Sequence, residues 1–349
     1  MTTSLKRFAF KYRSGDKSTI ARDLDSLREN RFYAANRAAL NDPFEGLFDQ
    51  SAFDGQLQAI EELLKLRNTN IGGLGDVKSA ANNLLALVDK SGIFSLSYNP
   101  LNELIWAHYG GSHKGFCIGY DIDKLVEFDP AQFHCIDVTY SDSAPLIQAA
   151  DLLIDSSPVK ILQKLLGTKS SSWRYEQEVR VIATPVGLHE YDFRAVKEIY
   201  FGLCCPQETR AAVMLSLAGR GITYKQVQSP HPSYRLEAEV ISDIFASAPP
   251  YGINLAPIAA GSICSDHLKP ELKQYSGYLM KAAEIVRREP YCKEVQLVDF
   301  SVSKSTPKNP VIYVQYQPTN RDRGVNHYLT LSEIDEQYKR LCGEHEKNS

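Results

Sequence analysis

The chain has 349 residues, 43% hydrophobic and 23% charged, an ordinary globular composition that excludes wholesale disorder, collagen-like repeats and a membrane protein. Lys and Arg number 39 against 42 Asp and Glu, a formal net charge of −3, so no global attraction to nucleic acid or anionic lipid exists. At about 150 residues per domain the length suggests two domains.

The cysteines number seven, too sparse for a disulfide scaffold, and include no CxxC pair for zinc. The opening MTTSLKRFAFKYRSGDK lacks the apolar core of a signal peptide, and no run approaches the roughly 18 apolar residues of a membrane span. These features predict a cytoplasmic protein without a membrane partner.

Taken in order, Phe8–Tyr12 alternates like a strand, and RSGDKS turns toward Ser18 as a helix cap. A helix fits Thr19–Glu29, with Ile20, Leu24 and Leu27 on one face, followed by a strand at Arg31–Ala35. NRAALNDPFEG reads as a loop. Helices are expected at Gln56–Leu66 and Val77–Lys90, then a strand Gly92–Tyr98, a turn at Asn99–Pro100 and a short helix LNELIWAHY. Strands Gly115–Asp121 and Cys135–Tyr140 follow, then an amphipathic stretch Pro145–Leu166 and a strand Tyr175–Ala183. AVKEIYFG, ITYKQVQ and YRLEAEVI read as three more strands, with a helix at Gln207–Ala218 between the first two.

The texture changes near Ser247–Pro250, which places domains at 1–247 and 248–349. The second is a small α+β domain with a helix at Leu272–Arg288, strands at Glu294–Phe300 and Val311–Tyr316, and a helix Leu331–Leu341. Strands without regular βαβ alternation make the first part α+β as well.

Chemistry concentrates in Ser172–Arg180. On a strand, residues two apart share a face about 7 Å apart, so Glu176, Glu178 and Arg180 would project together. Either this is a solvated face with a cross-paired arginine, or a carboxylate pair aimed into a cleft with its charge set by Arg180. Ser95 and Ser97 share a side of their strand, opposite Phe94, Leu96 and Tyr98; they sit at an edge or they hold a ligand or orient a carboxylate. Tyr12 and Arg13 close the first strand, where Arg13 is a surface residue unless a site needs an anion clamp. In NDPFEG, Asn41 and Asp42 favour a turn that Phe44 anchors in the core, or else they line the cleft. Trp106, His108 and Tyr109 are core aromatics, or His108 and Tyr109 meet a ligand ring. His113, His134, His189 and His231 show no metal-ligand spacing, so no metal is expected. Gly110–Gly115 reads as a mobile connector and not a phosphate cradle, and Arg287-Arg288 as a helix end.

Phe10–Ser14, Phe32–Ala34, Asn41–Glu45, Leu104–Gly110, Lys114–Asp121 and Trp173–Arg180 resemble the bacterial domain-of-unknown-function family 2971, over about residues 8–243. The order Arg13, Ser95-Leu96-Ser97, Glu176-Gln177-Glu178 is also similar to the arginine, serine–x–serine and ExE elements of ADP-ribosyltransferases. That resemblance implies a split mixed or antiparallel sheet around NAD, with inserted helices. It implies that Arg13 binds phosphate or ribose, that Ser95 or Ser97 orients the glutamate, that Glu178 is catalytic and that Glu176 engages the acceptor. Tyr12, Tyr109 and Asn41 would complete the NAD site.

Three functions are therefore expected in competition. The first is an NAD-consuming transferase, of toxin or phage-defence type, acting on a protein or nucleic-acid acceptor. The second is a non-catalytic ligand-sensing or protein-interaction module. The third is a metal-dependent nuclease-like effector using Asp42 with Glu178.

Overall fold

The computed structural model describes residues 7–66, 86–147, 158–230, 232–252, 254–264, 268–319 and 322–345. They form two compact units, Met1–Pro249 and Pro250–Ser349. The class is α+β, with a large, mostly antiparallel sheet in the first unit.

The first unit contains β1 (Phe8–Arg13), α1 (Ile20–Arg28), β2 (Arg31–Ala34), α2 (Gln50–Leu66), β3 (Gly92–Ser97), α3 (Glu103–Tyr109), β4 (Phe116–Asp121), α4 (Ile122–Glu127), β5 (Phe133–Asp137) and β6 (Thr139–Ser141). It continues through α5 (Pro158–Leu166), β7 (Thr168–Ser170), β8 (Glu178–Ala183), β9 (Gly187–Glu190), β10 (Val196–Phe201), α6 (Gln207–Ser216), β11 (Thr223–Gln228) and β12 (Glu237–Ile241). Its main sheet has the order β12-β11-β10-β4-β1-β3-β8-β5, with β10–β11 the one parallel pair.

Every residue of β4 and of β8 is buried, as expected of strands covered on both faces. On one face Leu24 and Leu27 of α1 join Ala9, Phe94, Leu96, Phe116 and Ile118. On the other, Trp106 of α3, fully buried, packs with Phe10, Tyr12, Cys117 and Tyr200. Each such large side chain contributes about 1.5–3 kcal/mol by leaving water.

β1 is bound to β4 through six registered pairs, Phe8–Asp121 to Arg13–Phe116, yet meets β3 in register only at Phe10–Ser97. Farther along, β3 takes Ala35 as its partner at Ile93. The two central strands part between these points, and the ammonium of Lys11 reaches across to the Ser95 carbonyl at 2.9 Å. A strand carbonyl left without a ladder partner needs such a donor.

Several expectations are corrected. CIDVTY is broken at Val138 into β5 and β6, because Val138 N–H bonds the Glu178 carbonyl and Thr139 N–H bonds Gly167. The strand expected from Tyr175 begins only at Glu178: residues Ser171–Glu176 form a 3-10 helix, and Gln177 turns the chain at φ 45°. Glu176 is therefore not a strand neighbour of Glu178. The helix expected after Ser18 is capped at Thr19, without a side-chain cap bond. The expected helix Val77–Lys90 is helical over 86–90, and its remainder, like 148–157 of the amphipathic stretch, lies outside the described residues.

Nor is Gly110–Gly115 a loose connector. His113 stacks on Trp106, and the amides of His113, Lys114 and Gly115 bond carbonyls of residues 106, 111 and 110. It presses against the end of β1 so closely that a Cβ on Gly115 would lie 1.9 Å from the Arg13 carbonyl oxygen.

The second unit packs α7 (Gly277–Val286) and α8 (Leu331–His345) with a sheet of β13 (Cys292–Phe300), β14 (Val311–Pro318) and β15 (Val325–Thr330). Leu279, Ala282, Ala283 and Val286 share a core with Val295, Val298, Ile312, Val314 and Ile334. The helix expected from Leu272 starts as a 3-10 turn, Pro270–Tyr275. β15 escaped the sequence reading because Leu329 is its one buried residue. Among the described residues no helix is long and apolar enough to cross a membrane.

Gly115→Ala should shift the end of β1 and destabilise the first unit by about 2 kcal/mol or more. A thermal midpoint within about 1 °C of wild type would show that the approach is not tight.

Candidate functional site

The parting of β1 and β3 opens a cavity of about 550 Å³. Because it lies between strands, side chains from both faces of the sheet reach it. Arg13 and Tyr12 come from β1, Ser95 and Ser97 from β3, and Glu178 from β8; Glu176, Tyr109 and Asn41 complete this part of the lining. Ser97 is registered opposite Glu178 and Ser95 opposite Arg180, so these four share one face.

Arg180 holds that face together. It is fully buried, and its guanidinium makes five hydrogen bonds. Nε donates to Glu178 Oε1 at 2.8 Å, and Nη2 donates to Glu178 Oε2 at 3.1 Å and Glu45 Oε1 at 2.5 Å. Nη1 donates to Glu45 Oε2 at 2.7 Å and to the Leu166 carbonyl at 2.6 Å. Five donors thus meet five acceptors, the full capacity of an arginine. Neither face of β8 is solvated, contrary to one of the two sequence readings.

Lys169, on β7, is the second cation. Its ammonium lies 2.6 Å from Glu176 Oε2, 3.1 Å from Glu178 Oε2 and 3.8 Å from Glu45 Oε1, beneath the ring of Trp173. Burial would lower its pKa, but Glu178 and Glu176 raise it. Burial would raise the Glu178 pKa, but the charge and hydrogen bonds of Arg180, with Lys169 and the Ser95 hydroxyl, hold it down at about 2. The Tyr109 hydroxyl donates to Glu176 Oε1 at 2.7 Å and is also hydrogen-bonded to Asn41.

The two serines divide their work. Ser95 bonds the Glu178 carboxylate. Ser97 donates to the Glu176 carbonyl at 2.7 Å and accepts from the Asn99 amide at 3.1 Å, so it holds the backbone of the turn. Tyr12 lines the cavity, but its hydroxyl donates to the Asn99 carbonyl at 2.6 Å and its ring meets Trp106 edge-on.

The opposite wall is cationic. Lys11, Arg13 and Arg22 line it, with Asp23 as their neighbour; Arg13 and Arg22 approach that carboxylate at 3.6 and 3.3 Å. Burial lowers the Lys11 ammonium to about 7, and the charge of Arg13 acts in the same direction.

Sequence reasoning missed Glu45, Lys169 and Lys11. For Glu45 and Lys11 the signal was a charged residue inside an apolar run or a Pro–Phe turn; Lys169 carried no signal. In NDPFEG the turn forms as expected, with Asn41 lining the cavity, but its anchor differs. Asp42 is buried and accepts the Phe44 amide at 2.9 Å without lining the cavity, while Phe44 is 64% exposed and does not anchor the turn. Glu45 anchors it, through Arg180. The nuclease expectation required Asp42 beside Glu178; the carboxylates there are Glu45 and Glu176, each held by a cation, and no cluster suited to a metal ion occurs among the described residues. Trp106 is core, with its indole N–H on the Pro100 carbonyl, and His108 packs against Tyr109 and Tyr175 outside the cavity lining.

Residues 105–181, from α3 into β8, match the model of a family described as a protein of unknown function, DUF2971. That segment supplies Tyr109, Lys169, Glu176, Glu178 and Arg180, while Arg13, Asn41 and the two serines lie before it. Comparisons with curated proteins and with solved structures found no match.

Two predictions follow from the buried charges. Arg180→Met should cost about 3–5 kcal/mol in chemical denaturation, since two buried carboxylates lose their partner; a loss below about 1 kcal/mol would disprove that role. Because the Glu178 pKa is depressed on folding, its stabilisation is complete above the unfolded value and is lost as pH falls toward about 2. Wild-type melting temperature should therefore drop through this window more steeply than that of Glu178→Gln, and parallel curves would contradict it.

Proposed function

We propose that the first unit is an NAD-consuming transferase of the ADP-ribosyltransferase kind. The observation that carries this reading is the meeting of Arg13, Ser95, Ser97, Glu176 and Glu178, from three distant stretches of chain, around one cavity in a split sheet. Its volume of about 550 Å³ falls within the range of small-molecule sites.

Breaking the bond between nicotinamide and ribose leaves the electron pair on a neutral nicotinamide and builds oxocarbenium charge on the sugar, as in glycoside hydrolysis. Glu45, Glu176 and Glu178 face two cations, Lys169 and Arg180, so this wall has a formal charge of −1. Glu178, fixed by Arg180 and Ser95, faces the developing cation. Preorganised groups of this kind contribute about 3 kcal/mol each. Glu176 stands beside it to accept the proton of the protein or nucleic-acid acceptor as that nucleophile bonds to the sugar carbon.

One observation favours a second reading, a ligand-sensing module. Both Glu178 oxygens and every N–H of Arg180 are engaged inside the protein, which a purely structural network would also require.

Nicotinamide release from NAD separates the two. Wild type should release it, Glu178→Gln should lose about a hundredfold or more, and Ser95→Ala, which spares the Arg180 bonds, about 10- to 100-fold. ADP-ribose binding by both variants would show that the site is intact. Wild-type binding without release would establish the sensor, and neither binding nor release would remove both readings.

A further inference from the structure

The two walls differ in how fully their cations are engaged. Lys169 and Arg180 are surrounded by three glutamates. Lys11 has a single acceptor, the Ser95 carbonyl, and no carboxylate within 4 Å among the described residues. Arg13 reaches Asp23 only at 3.6 Å, and its Nε is buried without a hydrogen-bond partner among the described residues. Both side chains are half-buried and line the same cavity, and a buried donor such as Arg13 Nε is seldom left unmatched.

We propose that Lys11 joins Arg13, the arginine expected to bind phosphate or ribose, in an anion seat for the diphosphate diester of the ligand, and that Lys11 makes this seat pH-dependent. The inference deepens the transferase reading and rests on it for the identity of the ligand. A diphosphate diester suits the wall because it presents several acceptor oxygens to adjacent donors.

The groups facing Lys11 are few. Arg13 stands on its own strand and Asp23 on α1, with Arg22 at the rim. Glu178 and Glu176 approach from the opposite wall, while β4 contributes the Cys117 thiol, and β3 the Ser95 carbonyl and the Phe94 ring, which lies 5.1 Å from the ammonium. Burial and Arg13 lower Lys11 to about 7, against the pull of the three carboxylates. A bound diester adds negative charge beside the amine and raises its pKa again, so above neutrality binding takes up a proton.

Titration calorimetry on the full chain tests this with ADP-ribose and with dimethyl diphosphate, a diester carrying nothing but the charged group. Neither probe has a group of its own titrating near 7. Wild-type affinity should fall about tenfold from pH 6 to pH 8, with uptake of close to one proton at pH 8, read from buffers of different ionisation enthalpy. Lys11→Arg should keep the affinity and lose the pH dependence. Lys11→Met should bind weakly at both pH values, with melting curves confirming that both variants are folded.

Wild-type affinity that is flat across this range, or a Lys11→Met variant that keeps the wild-type slope, would overturn the inference even where nicotinamide release upholds the transferase. Dimethyl diphosphate binding with the expected slope while ADP-ribose fails to bind would uphold the seat and remove the dinucleotide. Failure of both probes to bind would overturn the seat as well.

Discussion

An arginine side chain with no exposure to solvent is costly unless each of its N–H groups finds an acceptor, and Arg180 meets that condition with five. Its acceptors come from three separate segments: the 41–46 loop through Glu45, the end of α5 through Leu166, and β8 through Glu178. One guanidinium therefore locates the loop, the helix end and the strand relative to one another. A lysine has three donors on a single nitrogen and could not span two carboxylates and a carbonyl in this fork. Such a network adds little net stability over a well-packed apolar core; its effect is to make this arrangement of carboxylates far better than any other.

The second constraint is the split between β1 and β3. β4 holds β1 through six registered pairs, so β1 can leave β3 after Phe10–Ser97 without losing its place in the sheet. Packing of Gly111 and Gly115 against Ser14 and Arg13 keeps the departing end where it is. The gap lets a wall of carboxylates with engaged cations face a wall of less engaged cations. A ligand with one anionic end and one end that becomes cationic matches that polarity.

Much of this was legible from one dimension. Alternation gave the strands, and the two-residue spacing of Ser95 and Ser97 set their common face. The order Arg13, serine–x–serine, ExE pointed to the residues that the cavity brings together. The strand assigned to Tyr175–Glu176 failed because Gln177 adopts a left-handed conformation, which no period-2 pattern announces. Asp42 turns the chain, but Glu45 and not Phe44 anchors the turn, because a turn motif says which residues bend the chain, not which carboxylate a distant arginine will claim.

Local chemistry alone determined the α+β class, most element positions and the residue types at the site, since backbone periodicity and side-chain polarity act over a few neighbours. Which charges are paired was decided only when the chain closed. Lys11, Glu45 and Lys169 are ordinary surface residue types in the sequence; they became parts of a cavity because strands far apart in the chain had to satisfy buried donors and acceptors where water is excluded.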